Sequence, residues 1–165
     1  MKQQSRQWYK RREQICTITL FQYVGAQYEL WDINQYNRID GKFWSIKKAG
    51  VFESVVRNFY IEDYDRHILE KWKLEGLYKY SPQIMYYINF FPAKEKERFD
   101  CIVYNISARL ERWFEQKFIP YQISPFNRAT YNSNLVKDEK QVVYLTFDKK
   151  LDMIVKGMYV KNYNL

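Results

Sequence analysis

The chain has 165 residues, a net charge of +8 at neutral pH, and 16 Tyr, 11 Phe and 5 Trp. This length fits one domain with a single core, and the ordinary apolar and charged fractions exclude a wholly disordered chain. No apolar stretch approaches the roughly 20 residues of a membrane-spanning helix, and the polar, basic start lacks a secretory signal pattern, so we expect a soluble intracellular protein.

The surplus of aromatic side chains and of Lys and Arg narrows the range of functions. Flat aromatic faces stack on bases, and Lys and Arg pair with phosphates, so this composition favours contact with single-stranded nucleic acid. The same residue types are enriched in protein interfaces, which leaves docking on another protein open.

The first third of the chain predicts a basic arm over 1–14 and then three strands of a meander, at the start of one domain over 15–165. Residues 15–24 alternate at period two and predict the first strand. Gly25-Ala26 predicts a type II′ turn, with Gly in its first position. Residues 27–34 and 42–48 predict the second and third strands.

The middle of the chain changes to helical spacing. Phe52, Val55, Val56 and Phe59 form an amphipathic stripe. A second helix is predicted over 62–75 and ends at Gly76. A buried strand is predicted over 84–91, followed by the longest helix over 94–117 and a polar loop over 127–140.

The last part predicts a strand over 141–147 and then a terminal amphipathic helix that Asp148 caps. The apolar stripe of that helix consists of Leu151, Ile154, Val155 and Met158. Together these elements predict the α+β class, with an antiparallel β-meander closing into a barrel, inserted helices and a C-terminal amphipathic helix.

Cys16 and Cys101 each lie in an apolar run. This placement predicts two buried free thiols and leaves a disulfide between them open. With His67 as the only histidine, two cysteines cannot complete a zinc site of Cys and His ligands within the chain.

Catalytic patterns are few. The neighbours of His67 include no nucleophile, so we expect a partly exposed histidine on a helix. Asp100 followed by Glu115-Gln116-Lys117 matches the Asp…Glu-x-Lys pattern of magnesium-dependent nucleases. In that pattern the acids bind the metal ion and the lysine lies near the scissile phosphate. That chemistry usually needs the glutamate and lysine on a strand beside the aspartate, whereas this segment is predicted to be helical. We therefore predict no enzymatic activity, no metal and no cofactor.

The order of elements resembles the small OB-fold subunits of replication protein A-like and telomere-capping heterotrimers. The resemblance is carried by residues 15–24, Gly25-Ala26, 27–34, 42–48, and 141–147 with the helix after them. It implies an OB-like barrel whose terminal helix docks on partner subunits through Leu151, Ile154, Val155 and Met158. It also implies that exposed rings and nearby cations contact nucleic acid, the candidates being Tyr23, Tyr28, Trp31, Lys42, Trp44, Lys47 and Lys48.

The segment Arg109-Leu110-Glu111-Arg112-Trp113-Phe114 resembles the core of a homeodomain recognition helix, where a Trp-Phe pair is buried and neighbouring residues enter the major groove. In this chain Gln116 stands where that family has its base-reading asparagine, and Phe118 stands in place of an arginine.

The expected function is a non-enzymatic accessory subunit of a nuclear complex that handles nucleic acid, of the telomere or single-stranded-DNA-binding type. Its expected partners are one or more larger protein subunits and single-stranded nucleic acid, with no membrane. Two alternatives stay open: a homeodomain-like subunit that binds duplex DNA, and a structural subunit of a large organellar complex, which would place the protein in mitochondria.

Overall fold

A computed structural model describes residues 6–31, 39–81, 83–124, 128–129, 135–136 and 140–164 of the chain. Within these ranges the α-helices are α1 (Arg6–Val24), α2 (Lys71–Tyr78) and α3 (Ile106–Glu115), and a short 3-10 helix covers Ile61–Asp63. The strands are β1 (Gln27–Leu30), β2 (Gly41–Trp44), β3 (Ala49–Val56), β4 (His67–Glu70), β5 (Ile84–Pro92), β6 (Arg98–Asn105), β7 (Gln122–Ser124), β8 (Arg128–Ala129), β9 (Leu135–Val136), β10 (Lys140–Leu145) and β11 (Met153–Tyr159).

A six-stranded mixed sheet forms the centre of the fold, in the order β1-β2-β3-β5-β6-β11. Its neighbouring strands are antiparallel except for β3 and β5, which run parallel. Parallel neighbours need a crossover connection, and here the 3-10 helix, β4 and α2 supply it. A second sheet has the order β4-β10-β7, and β8 pairs with β9.

Apolar side chains bury both faces of the central sheet. On one face Cys16, Leu20 and Phe21 of α1 pack against the sheet in one cluster. On the other face α2, α3 and the three-stranded sheet contribute a second cluster. A strand that is covered on both faces is apolar throughout, which explains the continuous apolar run of β5. The strand predicted over 84–91 is confirmed.

The prediction of a strand over 15–24 is wrong, because these residues belong to α1. The border predicted between residues 14 and 15 therefore lies inside a helix. Threonine normally favours strands, but Thr17 and Thr19 each donate a hydroxyl hydrogen bond to the carbonyl four residues earlier, at 2.8 Å.

Gly25 ends α1 and does not form the predicted strand-to-strand turn. Its φ of 73° is left-handed, and Ala26 donates its N–H to the Phe21 carbonyl at 2.9 Å. Gly25 donates to the Gln22 carbonyl at 3.3 Å. These two bonds are those of a Schellman motif, which satisfies carbonyls at the end of a helix.

Three predicted helices are wholly or partly strands. Phe52, Val55 and Val56 of the predicted stripe lie in β3, and Phe59 lies beyond its end. The segment 94–117 contains β6 and α3, and 62–75 contains β4 and only the start of α2. Gly76 lies inside α2 and does not end it. Strands buried on both faces lose the period-two alternation, so their apolar spacing can match a helix by chance.

The C-terminal helix is also wrong, because the segment forms the edge strand β11. Val155 and Met158 both point into the core, although they are three positions apart in the chain. The pairing register with β6 shifts between these two residues, and Gly157 has a φ of 64°. This β-bulge places Val155 and Met158 on one face and so imitates the spacing of a helix.

The α+β class is confirmed, and an antiparallel meander is present, composed of β1, β2 and β3. Parts of the predicted strands 27–34, 42–48 and 141–147 are confirmed as β1, β2 and β10. Residues 32–34 and most of the loop predicted over 127–140 lie outside the described residues. The central sheet has open edges at β1 and β11, so the described strands do not close a barrel.

Both cysteines are free and buried, as predicted, and burial raises the pKa of each thiol. Among the residues described, no helix combines the length and the apolar character that crossing a bilayer requires.

Two substitutions in β11 distinguish the strand from a helix. Val155 is 7% exposed and lies in the core, whereas Ile154 is 40% exposed. We expect Val155→Asp to lower the free energy of unfolding by about 3 kcal/mol or more, because it buries an unpaired charge, and Ile154→Asp by under about 1 kcal/mol. Guanidinium denaturation measures both values, and equal losses would contradict the alternation of β11.

Candidate functional site

The predicted nucleic-acid residues centre on the hairpin between β2 and β3. Its turn is closed by the Ser45 N–H, which donates to the Lys48 carbonyl at 2.6 Å. Trp44 is 40% exposed and Ile46 is fully exposed at the tip, and Lys47 and Lys48 are exposed beside them. The hairpin thus presents an aromatic ring, an aliphatic side chain and two cations to solvent.

The other predicted residues divide between surface and interior. Tyr23 is exposed on the last turn of α1, and Lys42 lies 5.7 Å from the Trp44 ring and 3.4 Å from the Glu29 carboxylate. Tyr28 stacks on Phe21 at 5.7 Å, inside the cluster under α1.

Trp31 is half-buried and packs on the Tyr80 ring at 5.5 Å, and its backbone N–H donates to the Asp40 carbonyl. Tyr28 and Trp31 therefore contribute to packing. The hairpin and its strand β2 present Lys42, Trp44, Lys47 and Lys48, and Tyr23 lies apart from them on α1.

The predicted partner-binding residues do not form one surface. Val155 and Met158 lie in the core, Leu151 is half-buried in the turn before β11, and Ile154 is exposed. The helix that the docking prediction requires is absent from this described segment.

The helix that resembles a homeodomain recognition helix is present as α3, but Arg98–Asn105 before it is a strand. Arg109 is buried and makes two hydrogen bonds to the Asp152 carboxylate, at 2.6 and 2.7 Å. Trp113 packs against the core, and Gln116 is the C-cap of α3.

Asp100, Glu115 and Lys117, which match the sequence pattern of a magnesium-dependent nuclease, do not form a common site. Asp100 lies in β6 and accepts a hydrogen bond from the Gly157 N–H at 2.8 Å. Glu115 is exposed at the end of α3.

His67 is a strand residue in β4, and the prediction of a partly exposed helical histidine is wrong. It is 4% exposed, and its Nδ1 lies 2.6 Å from the Tyr104 hydroxyl. Nε2 has no hydrogen-bond partner among the described residues. Burial, and then the charge of Arg57, lowers the pKa of His67 to about 4, so the ring is neutral at neutral pH.

A cluster of acidic and basic side chains that the sequence did not reveal lies where α1, β2 and β3 meet. Asp40 directly precedes β2 and is mostly buried. Its Oδ2 accepts the backbone N–H of Ser54 at 2.7 Å and the Ser54 hydroxyl at 3.2 Å. Its Oδ1 accepts a hydrogen bond from the ammonium group of Lys10.

Glu13 adds a second carboxylate from α1. Lys10 donates to Glu13 Oε1 at 3.1 Å, so one ammonium group contacts the carboxylates of both Glu13 and Asp40. Burial, and then the negative charge of Asp40, raises the pKa of Glu13 to about 7. The acid is therefore held where its negative charge is poorly compensated.

Glu53 is the third acid and the most buried, with its side chain 7% exposed. Lys73 of α2 lies 3.5 Å from Glu53 Oε1. Glu53 Oε2 is buried and has no hydrogen-bond partner in the described part of the chain. Burial, and then the charge of Asp40, raises the pKa of this carboxyl group well above its usual range.

We name Glu13, Asp40 and Glu53, with Lys10 and Lys73, the acidic cluster. Three carboxylates and two ammonium groups leave one negative charge in excess when all five are ionised. Burying an uncompensated charge is costly, and a bound cation would remove the cost. Either a proton on Glu53, whose pKa is raised, or a bound cation can remove this excess charge.

The described side chains of the acidic cluster form no complete set of protein ligands for a metal ion. Across the described ranges, no three His, Cys, Asp or Glu side chains are placed to hold a metal ion among themselves. Mg²⁺ is commonly held by one or two carboxylates, waters and the phosphates of a substrate. Asp40 and Glu53 are two such carboxylates, and the charge of Asp40 is one of the causes that raise the pKa of Glu53.

Two signals in the sequence pointed weakly to this site. Asp40-Gly41 has the composition of a turn, and Glu53 is an acid inside the apolar run of β3. An acid in a buried strand needs a partner, and this is the signal that could have found Glu53.

The chain matches no protein-family model, no curated protein and no solved structure. Its function must therefore be argued from the chemistry of its sites.

The neutral state of His67 gives a testable dependence on pH. A folded-state pKa of about 4, below the ordinary 6.5, means that stability is complete above pH 6.5 and is lost as the pH falls towards 4. His67→Gln cannot take up the proton. We expect the unfolding free energy of the wild type to fall by about 3 kcal/mol relative to this variant between pH 7 and pH 4. Urea denaturation measures both unfolding free energies. If the difference between the wild type and His67→Gln stays constant from pH 7 to pH 4, the prediction is wrong.

Proposed function

We propose that the chain is a Mg²⁺-dependent phosphodiesterase that acts on nucleic acid, with Asp40 and Glu53 as the carboxylates that bind the metal. The observation that carries this proposal is the buried Glu53 carboxylate, whose Oε2 has no partner among the described residues and which lies in the field of Asp40. A protein that used this carboxylate only for structure would be expected to pair both of its oxygens.

The residues of the acidic cluster fit the needs of phosphodiester hydrolysis. In that reaction the oxygen of a water molecule bonds to phosphorus, the bond to the leaving oxygen breaks, and the leaving oxygen gains a proton. A bound Mg²⁺ would neutralise the phosphate charge and activate the water. Lys73, 3.5 Å from Glu53, carries a positive charge that stabilises the negative charge of the transition state.

The hairpin supports nucleic acid as the substrate. β2 runs from beside Asp40 to Trp44, a length of about 13 Å at roughly 3.3 Å per residue. A single strand that stacks on Trp44 and pairs with Lys47 and Lys48 can therefore reach the acidic cluster within a few nucleotides.

Removal of either metal-binding carboxylate tests this activity. We expect Asp40→Asn and Glu53→Gln each to reduce Mg²⁺-dependent cleavage of labelled oligonucleotides by about 100-fold or more, because each removes a ligand that stabilises the transition state. The assay uses single-stranded and duplex substrates with Mg²⁺ or EDTA.

Glu115→Gln is the matched control, since it neutralises an exposed acid outside the cluster and should leave the rate unchanged. Circular dichroism shows whether each variant is folded. Cleavage by folded Asp40→Asn and Glu53→Gln at the rate of the wild type would refute the proposal.

A non-enzymatic accessory role in a complex that handles nucleic acid is the second candidate function. The exposed Trp44 and Ile46 at the hairpin tip favour it, because such a tip suits contact with either bases or a protein subunit. The OB-like barrel belongs to this candidate and would need further strands to close the open edges at β1 and β11.

Substitutions in the hairpin test contact with nucleic acid under either function. We expect Trp44→Ala to weaken binding of a single-stranded oligonucleotide by about 5- to 100-fold, through lost stacking. Replacing Lys47 and Lys48 together by Ala should reduce the slope of log affinity against log salt by up to about 1.4. Fluorescence anisotropy in EDTA measures binding without cleavage. Phe118→Ala removes an exposed ring beyond α3 and is the control; an equal effect there would count against a specific role of the hairpin.

A further inference from the structure

A cavity of about 560 Å³ lies between α3 and the segment that joins β10 to β11. Pockets that bind small molecules commonly measure roughly 300–1,000 Å³, so this cavity has room for such a ligand. The helix side contributes Arg112 and Trp113 to its lining. The opposite side contributes Tyr144 of β10 and, after that strand, Phe147 and Lys149.

Buried hydrogen bonds hold the two sides of the cavity together. Arg109 of α3 is buried and donates to both carboxylate oxygens of Asp152, at 2.6 and 2.7 Å. Arg109 also donates to the Thr146 carbonyl at 3.0 Å, and Asp152 accepts the Asp148 N–H at 2.9 Å. The cavity is therefore formed without a ligand, which lowers the entropic cost of binding one.

Three aromatic side chains line the cavity. Trp113 and Phe147 are half-buried and pack against the core, which limits their movement. Tyr144 is also half-buried, and the Arg66 guanidinium lies 3.9 Å from the centre of its ring. Aromatic side chains held in this way favour a ligand with a planar ring, and nucleobases stack on such rings.

The charged side chains of the cavity favour an anionic ligand. Arg112 and Lys149 are exposed, and neither side chain forms an ion pair or a hydrogen bond with a described residue. Asp148 is the single acid among the described lining residues, and its Oδ1 accepts the Lys150 N–H at 2.8 Å. Asp152 already compensates the charge of Arg109. Two unpaired cations are therefore available, and guanidinium and ammonium groups both bind phosphate.

We propose that this cavity binds a nucleotide, either free or at the end of a nucleic acid strand. The base packs against Trp113, Tyr144 and Phe147, and the phosphate pairs with Arg112 and Lys149. The site shares no residue with the acidic cluster. It therefore goes beyond the proposed function and does not depend on it.

Fragments of a nucleotide separate the two kinds of contact. Adenosine monophosphate carries base and phosphate, adenosine lacks the phosphate, and ribose 5-phosphate lacks the base. Isothermal titration calorimetry in EDTA measures their binding to the whole chain. We expect the double variant Arg112→Met with Lys149→Met to bind adenosine monophosphate about tenfold more weakly or worse, and adenosine as the wild type does. Lys150→Met is the matched control, since Lys150 is exposed beside Lys149 and does not line the cavity.

Tyr144→Leu tests the contact with the base. We expect it to weaken binding of both adenosine monophosphate and adenosine by about fivefold or more, and to leave ribose 5-phosphate unaffected. Tyr159→Leu is the control, because Tyr159 is also a strand residue with an arginine, Arg98, 5.2 Å from its ring. Circular dichroism shows whether each variant is folded.

Weaker binding of adenosine monophosphate by the double variant, with adenosine unchanged, supports the proposal. Competition by a 5′-phosphorylated oligonucleotide then identifies a strand end as the ligand, and its absence identifies a free nucleotide. The proposal is overturned if the wild type binds neither, if the folded cavity variants bind like the controls, or if the double variant loses both affinities equally. None of these results changes the cleavage expected through Asp40 and Glu53, so the proposed function is tested separately.

Discussion

Asp40 joins the first helix to the central sheet, because its two carboxylate oxygens bind partners on different elements. Oδ2 accepts two hydrogen bonds from Ser54 on β3, and Oδ1 accepts one from Lys10 on α1. The Trp31 N–H also donates to its backbone carbonyl, next to the end of β1. Loss of one partner of such a buried charge costs several kcal/mol, so the position of α1 and the start of β2 depend on this residue.

The acidic cluster, which lies where α1, β2 and β3 meet, contains three carboxyl groups and only two ammonium groups. Glu53 is buried beside Asp40 with one oxygen unpaired among the described residues, and the pKa values of Glu13 and Glu53 are raised. Natural sequences keep such local conflicts mainly where they serve a function. Lys10 compensates part of the charge, and a divalent ion with a bound phosphate would compensate more of it. Under the proposed function, the same side chains would hold the fold and the metal.

Sequence periodicity predicted those strands whose conformation is not altered by a bulge, a helix cap or side-chain bonds to the backbone. The apolar run of β5 and parts of the strands β1, β2 and β10 were predicted. Trp44, Lys47 and Lys48 were predicted as candidate nucleic-acid residues, but on a single strand over 42–48, whereas β2 ends at Trp44 and a turn follows. The helix α1 was not, because hydroxyl bonds to the helix backbone accommodate its threonines. β11 was not, because a bulge at Gly157 gives it helical spacing. Asp40 and Glu53 are brought together only by the pairing of β2 with β3, which no local pattern reveals.

A crystal structure of the chain grown with Mn²⁺, with diffraction recorded at the manganese absorption edge, tests the central claim most directly. Under the proposed function we expect an anomalous peak between Asp40 and Glu53, within about 2.2 Å of a carboxylate oxygen of each. A map without a peak there at saturating Mn²⁺ would contradict the proposed function.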